Sequence, residues 1–373
     1  MIVRFPNLKR LAYLELIRKI FLMVFWGGEV ASKNHKRKYL DRYFVLIISF
    51  ITGLAGCNLS PTITLSPLPT PVVVIQQIPS ETPLPTPSLT PTNTLTLTPL
   101  PTRTPFPPVS IESLGISSRY LGNSRVLSIY LPPSYQSQPE RHYKVLYSND
   151  GQDLPIMFLE QDLNSFYASG LMQQVIVVGI PANDNRIYEY GTGSIKNTDG
   201  WGANAQAYLN FVLKEVIPLV NSKYRTLTGP ENTAYVGWSL GGLTSFYAAW
   251  THPEVFGTVG AISGSFWWGT NINNLPDLLA SRVAQKLVRE STTHPKLRFW
   301  FSAGTNEIAS NDRDKNGVID MVQDTTDLIQ ELTKKGYQSG VDYAYEQVEG
   351  GTHDQASFGR VLPDFLRWAF PPS

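Results

Sequence analysis

Residues 233–243 read Thr-Ala-Tyr-Val-Gly-Trp-Ser-Leu-Gly-Gly-Leu, and this stretch decides the fold. Its first five residues form a compact run with β-branched and aromatic side chains, which predicts a buried strand. The following run, Leu243 to Trp250, predicts a helix. Between them, glycines stand two residues either side of Ser239, where the missing Cβ atoms permit a very tight turn. A strand, tight turn and helix in this order expose a serine hydroxyl at the head of the helix.

The chain around this stretch, from residue 110 to 373, alternates short strand-like runs with longer amphipathic ones. This alternation predicts an α/β fold with a mostly parallel central sheet and helices on both faces. In such sheets, sites gather at the carboxyl ends of the strands. We expect strands over residues 126–131, 144–148, 175–180, 233–237, 258–263, 297–303 and 343–348. We expect helices over residues 154–168, 201–222, 243–250, 278–289, 325–335 and 358–370.

Charge and proline are distributed unevenly over the 373 residues, which divides the chain into three segments. Residues 1–57 hold ten Lys or Arg and three Asp or Glu, whereas the remainder holds 21 basic and 27 acidic residues. An acidic body gives no electrostatic reason to expect nucleic-acid binding. Residues 58–109 contain 14 of the 28 prolines, so we expect an extended, disordered tether there. The folded domain is then residues 110–373.

The N-terminal segment has the pattern of an export signal. Basic residues between Lys33 and Arg42 precede the apolar run Phe44 to Thr52, which leads into Leu54-Ala55-Gly56-Cys57. This ending resembles the bacterial lipoprotein signal, which implies that Cys57 is acylated and becomes the mature N-terminus. The alternative is an uncleaved anchor, but about 13 apolar residues fall short of the roughly 20 that a spanning helix needs. We therefore expect an exported cell-envelope lipoprotein, held at the membrane by its lipid.

Cys57 is the only cysteine, so the chain can form no internal disulfide and the folded domain has no cysteine nucleophile. Residues 1–32 do not fit the signal pattern. They form either an amphipathic helix or a stretch upstream of the true start, for which Met23 is a candidate.

A serine hydroxyl is a poor nucleophile until a base removes its proton, so Ser239 requires a histidine within reach. Of the five histidines, only His353 follows a late strand, in the small-residue turn that begins at Gly350. His353 is therefore the expected base. A carboxylate should orient the imidazole, and Glu307 lies four residues beyond the strand predicted over 297–303. The alternatives for this acid are Asp312, Asp314 and Asp324.

The negative charge that develops on a substrate oxygen must be met by donors that are already in place. One expected donor is the backbone N–H of Leu240, which follows the nucleophile. The turn Asn149-Asp150-Gly151-Gln152, after another predicted strand, supplies the second donor, which we assign to the N–H of Gln152.

Further residues are candidates for binding. Trp267 and Trp268 either line an acyl or aromatic pocket or belong to the core, and Arg186 either pairs with Glu189 or contacts substrate.

Asp312, Asp314, Asn316 and Asp320 have the spacing of the first part of an EF-hand calcium loop. Position twelve is Gln323, where a bidentate glutamate is needed, so we expect no cofactor and keep calcium as the alternative.

The domain resembles the esterase D and enterochelin-esterase-like family of α/β hydrolases, which includes feruloyl esterases, S-formylglutathione hydrolases and mycolyltransferases. The resemblance implies the α/β-hydrolase fold and a Ser/acid/His triad that hydrolyses carboxylic esters through an acyl-enzyme. It supports Glu307, because feruloyl esterases carry an aspartate in the corresponding turn, and the glutamate is a departure. The matching segments are Val145 to Gln152, Asn185 to Tyr190, Gly237 to Gly242, His252 to Gly257, Ser263 to Trp268, Gly304 to Glu307 and Gly351 to His353.

The expected partner is a small-molecule or polysaccharide-linked ester of the envelope or the extracellular space, such as a feruloyl, acetyl-sugar or siderophore-like ester. Two other functions fit the same residues. One is an acyltransferase, which passes the acyl group to an alcohol instead of water. The other is a non-catalytic surface protein that binds carbohydrate.

Overall fold

The computed structural model describes residues 106–193, 195–196, 200–270, 275–307 and 312–372. All of them belong to the unit Thr96–Ser373. The expected export signal with Cys57, and residues 58–105 of the expected tether, lie outside the described residues, so these remain predictions. Within the described part of the chain, no helix is both long enough and apolar enough to cross a bilayer.

The described strands form an eight-stranded sheet in the order β1-β2-β4-β3-β5-β6-β7-β8. Strand β2 pairs antiparallel with β1 and β4, and all other neighbours pair in parallel, which confirms the mostly parallel sheet. The strands are β1 (Ser110–Ser118), β2 (Asn123–Leu131), β3 (Val145–Ser148), β4 (Ile176–Gly179), β5 (Thr233–Trp238), β6 (Thr258–Ile262), β7 (Arg298–Gly304) and β8 (Tyr343–Val348).

The helices pack on both faces of this sheet, because alternate residues of its strands enter two separate cores. On β5, Tyr235 belongs to one core, while Ala234 and Val236 belong to the other. The helices are α1 (Ser134–Ser137), α2 (Leu159–Ser169), α3 (Arg186–Glu189), α4 (Ala205–Phe211), α5 (Ile217–Lys223), α6 (Leu240–Thr251), α7 (Leu275–Ser281), α8 (Val283–Glu290), α9 (Asp320–Lys334) and α10 (Gln355–Ala369). Helices α2 and α10 cover one face, and α4, α5, α6, α8 and α9 cover the other.

Three elements differ from the sequence expectations. Strand β1 was missed, because it is an edge strand whose side chains are mostly exposed and so lack a clear apolar alternation. The helix expected over 201–222 is instead α4 and α5, joined by a π-helical turn at Val212–Val216. The helix expected over 278–289 is broken at Arg282, whose extended backbone directs its guanidinium to Asp324 and Asp327.

The parallel pairing of β3, β5, β6, β7 and β8 brings their carboxyl ends to one edge of the sheet. The segments that carry Gln152, Ser239, Glu307 and His353 all leave the sheet at this edge. The topology therefore gathers residues that are more than 200 positions apart in the chain.

Candidate active site

Ser239 lies at the junction of β5 and α6 in a strained backbone conformation, with φ 56° and ψ −129°. The turn is tight because Gly237 and Gly241 are in contact. A Cβ atom on Gly237 would overlap the carbonyl group of Gly241. The Ser239 N–H donates to the Ile262 carbonyl at 3.0 Å, and the Ser239 carbonyl accepts from Gly242 at 3.0 Å. The surrounding backbone therefore fixes this serine in the exposed turn that its glycines predict.

Glu307 and His353 are in direct hydrogen-bond contact, with 2.6 Å between Glu307 Oε2 and His353 Nδ1. The Glu307 side chain is fully buried. Its other oxygen, Oε1, accepts from Ser263 Oγ at 2.6 Å and from the Gly304 N–H at 2.7 Å. The imidazole lies edge-on to the Phe358 ring at 5.2 Å between centroids. These contacts hold the carboxylate and the ring in a fixed relative orientation.

The three alternative acids are engaged elsewhere. Asp324 is buried between Arg282 and Arg313. Asp314 accepts from Gln323 Nε2 at 2.8 Å, and Asp312 accepts from the backbone N–H groups of residues 316 and 317. Of the four candidates, the structure therefore brings Glu307 alone to the histidine.

Ser239 and His353 line the same cleft, which has a volume of about 320 Å³. The Ser239 hydroxyl lies 3.5 Å from Ser265 Oγ, and no direct hydrogen bond joins Ser239 to His353 among the described residues. In unliganded enzymes this catalytic contact is often long and tightens when substrate binds. We call this cavity the Ser239 cleft, and its lining residues are Gln152, Asp153, Arg186, Trp238, Ser239, His353, Asp354, Gln355 and Phe358.

The two expected N–H donors lie at the ends of adjacent strands. Leu240 is the first residue of α6, where the N–H groups of the first turn have no partner within the helix. Gln152 lies in the 3-10 turn Gly151–Asp153 that follows β3, and it lines the Ser239 cleft. A Cβ on Gly151 would overlap the backbone of Gly179, so the turn lies directly against β4.

Comparison with known proteins identifies the family of this chain. Residues 118–369 match the model of the family described as "Putative esterase". The chain belongs to this family. Ester hydrolysis is therefore the activity that the family and the site have in common.

Relatives of this esterase include the protein YbbA of Bacillus subtilis (strain 168), which is 27% identical over 263 residues, covering 69% of this chain and 96% of the relative. The structure of a ferulic acid esterase superposes with a TM-score of 0.55 at 19% identity, covering 70% of this chain and 98% of the other. The enterobactin esterase FES from Shigella flexneri superposes with a TM-score of 0.55 at 20% identity, covering 71% of this chain but 60% of the other. The likeness to these esterases confirms the α/β-hydrolase fold.

The two tryptophans suggested as pocket walls are placed differently from each other. Trp268 is fully buried in the core, where its indole packs against Gly202. Trp267 is partly buried and lies edge-on to Trp201, with 6.4 Å between ring centroids. Neither residue lines the Ser239 cleft. Of the two alternatives, a pocket wall or the core, the core is the one that fits Trp268.

The calcium candidates form a compact turn in the esterase. Asp312 accepts from the N–H groups of Asn316 and Gly317 at 2.9 and 2.8 Å, and Asp320 accepts from the N–H of Arg313 at 3.0 Å. Over the described ranges, no group of three or more His, Cys, Asp or Glu side chains is arranged to hold a metal ion. The expectation of no cofactor, with calcium as the alternative, therefore remains a prediction.

Arg186 has a different partner from the one suggested by the sequence. Glu189 pairs with Arg125, whereas Arg186 donates from Nε and Nη2 to the two carboxylate oxygens of Asp150, each at 2.7 Å. Asp150 is buried, adopts φ 52°, and directly precedes the turn that carries Gln152. Arg186 also donates to the Trp238 carbonyl at 3.4 Å. This guanidinium therefore connects the Gln152 turn to the backbone just before Ser239.

Asn149 makes a second connection, which the sequence did not reveal. Its buried amide donates to the Gly241 carbonyl at 3.0 Å and to Ser245 Oγ at 3.1 Å. Its oxygen accepts from the hydroxyls of Tyr208 and Tyr235, each at 2.7 Å. Burial raises the pKa of both phenols well above the usual range, so both remain donors. The only available signal was the position of Asn149 at the end of a predicted strand.

Arg186→Lys should lower kcat of the esterase by about tenfold and change KM little, because an ammonium cannot bind both oxygens of Asp150 and the Gln152 N–H shifts. Steady-state kinetics on p-nitrophenyl acetate measure both constants. Arg119→Lys, at an exposed ion pair with Glu215, is the matched control. A kcat for Arg186→Lys equal to that of the control would show that Arg186 does not position the turn.

Proposed function

We propose that the protein is a serine carboxylic ester hydrolase that acts through Ser239, His353 and Glu307. The observation that carries this proposal is the 2.6 Å contact between buried Glu307 and His353, at the wall of the cleft that Ser239 also lines. A buried carboxylate on Nδ1 leaves Nε2 of the imidazole free to take a proton. The strained turn at Ser239 presents a hydroxyl to the same cavity.

The reaction proceeds in two steps. Ser239 Oγ attacks the ester carbonyl carbon while His353 Nε2 takes the hydroxyl proton, and Glu307 stabilises the imidazolium. The N–H groups of Leu240 and Gln152 bind the negative oxygen of the tetrahedral intermediate. Collapse of this intermediate expels the alcohol, which receives the proton from His353. A water molecule, deprotonated by His353, then attacks the acyl-enzyme carbonyl. His353 returns this proton to Ser239 Oγ as the bond between Oγ and the acyl carbon breaks, which releases the acid and restores Ser239.

The proposed substrates are feruloyl, acetyl-sugar or siderophore-like esters. The support is the fold shared with a ferulic acid esterase and with an enterobactin esterase. Assays of the purified protein on these three ester classes will identify the acyl and alcohol groups of its substrate. If an added alcohol captures the acyl group in preference to water, the protein is instead an acyltransferase.

Ser239→Ala should reduce turnover of p-nitrophenyl acetate by at least about a hundredfold, because no other hydroxyl occupies the turn. Ser265→Ala is the matched control, since it removes the hydroxyl that lies 3.5 Å from Ser239 Oγ. The control should retain most of the activity, and both variants should show the circular dichroism of the wild type. Full activity in Ser239→Ala would rule out this nucleophile.

Glu307→Gln should lower kcat by at least about tenfold, because an amide cannot stabilise the imidazolium and offers His353 a donor in place of an acceptor. Asp314→Asn, at one of the alternative acids, should change kcat by less than about twofold. Single-turnover kinetics on the same ester measure both effects. The reverse order of the two effects would assign the acid to Asp314.

We also propose that the protein is an exported lipoprotein attached to the envelope through Cys57. The sequence Leu54-Ala55-Gly56-Cys57 after a short apolar run supports this proposal.

Cys57→Ser should move the protein from the membrane fraction to the soluble fraction, because the acylated thiol is lost. The amount of protein in each fraction is measured with an antibody after fractionation of the producing cells. Ser60→Ala is the control. Retention of Cys57→Ser in the membrane fraction would indicate an uncleaved anchor instead.

A further inference from the structure

The charges around the Ser239 cleft are unbalanced. Besides His353, three of its lining residues have acidic or basic side chains: Asp153, Asp354 and Arg186. The guanidinium of Arg186 is already matched by buried Asp150, with both nitrogen–oxygen distances at 2.7 Å. The two remaining carboxylates therefore give the cleft a net negative charge.

Asp153 is the less exposed of these carboxylates. Its Oδ2 accepts long hydrogen bonds from Trp238 Nε1 at 3.3 Å and Gln355 Nε2 at 3.4 Å, and both donors are neutral. Partial burial and then the charge of Asp150 raise the pKa of Asp153, while Arg186 only partly opposes them. Asp153 is therefore a carboxylate without a paired cation, and it lies one residue from the Gln152 N–H.

Asp354, an exposed residue at the start of α10, adds to the same field. It directly follows His353, and its carboxylate accepts from Thr352 Oγ1 at 2.6 Å and from the Ser357 N–H at 2.9 Å. These hydrogen bonds lower its pKa, so it is ionised at neutral pH. The neighbouring cation, exposed Arg360, is not among the lining residues and donates to Ser357 Oγ at 3.3 Å.

We infer that the Ser239 cleft selects esters without negative charge near the scissile bond, and that Asp153 is the residue that repels anionic ones. This inference rests on the proposed esterase function. An anionic group on the acyl chain or the alcohol would enter a cavity that holds two carboxylates without a paired cation, while Arg186, the one Lys or Arg among its described lining residues, already pairs with Asp150. Uncharged groups with hydroxyl donors can still bind the carboxylate oxygens, so the cleft excludes negative charge rather than polarity.

A matched pair of substrates tests the inference. The first is the p-nitrophenyl ester of monomethyl glutarate, which is neutral, and the second is mono-p-nitrophenyl glutarate, which ends in a carboxylate. We expect the full-length protein at low salt to hydrolyse the neutral ester with a kcat/KM at least about tenfold higher, after correction for the uncatalysed rates. Half-molar NaCl should reduce this preference, because salt screens exposed charges.

Asp153→Asn should reduce the preference for the neutral ester about threefold or more, because the amide keeps an acceptor for Trp238 Nε1 but loses the charge. Glu140→Gln is the matched control: Glu140 is exposed and lies before β3, at the opposite end of the sheet, so the preference should not change.

Two results would overturn the inference: equal kcat/KM values for the two esters in the wild type, or an unchanged preference in Asp153→Asn. Hydrolysis of neither ester would instead overturn the proposed function, and the inference with it. The two failures are therefore distinguishable.

Discussion

The close contact between Gly237 and Gly241 is the constraint on which the site depends. The strand and the helix can meet at Ser239 only if no Cβ atom separates their backbones. The strain at Ser239 is sustained by hydrogen bonds from residues beyond the turn, including Ile262 and Ser265. The β5–α6 unit thus places a hydroxyl at the Ser239 cleft next to the N–H of Leu240 at the helix terminus.

Around this turn, the fold uses buried polar side chains to hold neighbouring loops in place. Asn149 joins the end of β3 to α6, and the Arg186–Asp150 pair joins the Gln152 turn to the backbone of Trp238. Glu307 is bound by Ser263 and Gly304 as well as by His353. Because removing one partner from such a network leaves a buried polar group unsatisfied, these contacts specify one arrangement of the loops. The geometry around Ser239 therefore depends on buried polar contacts behind the cleft as well as on the residues that line it.

The charged residues at the cleft differ in whether an opposite charge pairs with them. Arg186 is at the wall of the cleft, yet its charge is neutralised from behind by Asp150. Asp153 and Asp354 lack an equivalent cation, so their field extends into the cavity. The same edge of the sheet consequently combines the candidate catalytic residues with the proposed electrostatic preference, which relatives of the same fold need not share.

The sequence by itself determined the α/β architecture, the turn at Ser239 and the choice of His353, because glycine spacing, strand patterns and chain order are local properties. It also ranked Glu307 first, because Glu307 follows the strand predicted over 297–303 most closely, but it left Asp312, Asp314 and Asp324 as alternatives. Only the tertiary structure showed which carboxylate lies 2.6 Å from the imidazole, because that distance depends on the pairing of β7 with β8. The partner of Arg186 and the burial of Trp268 were likewise decided by contacts between segments far apart in the chain, which no local pattern records. The break at Arg282 escaped prediction for the same reason, because it accompanies contacts with Asp324 and Asp327. Edge strand β1 escaped prediction because its mostly exposed residues lack a clear apolar alternation.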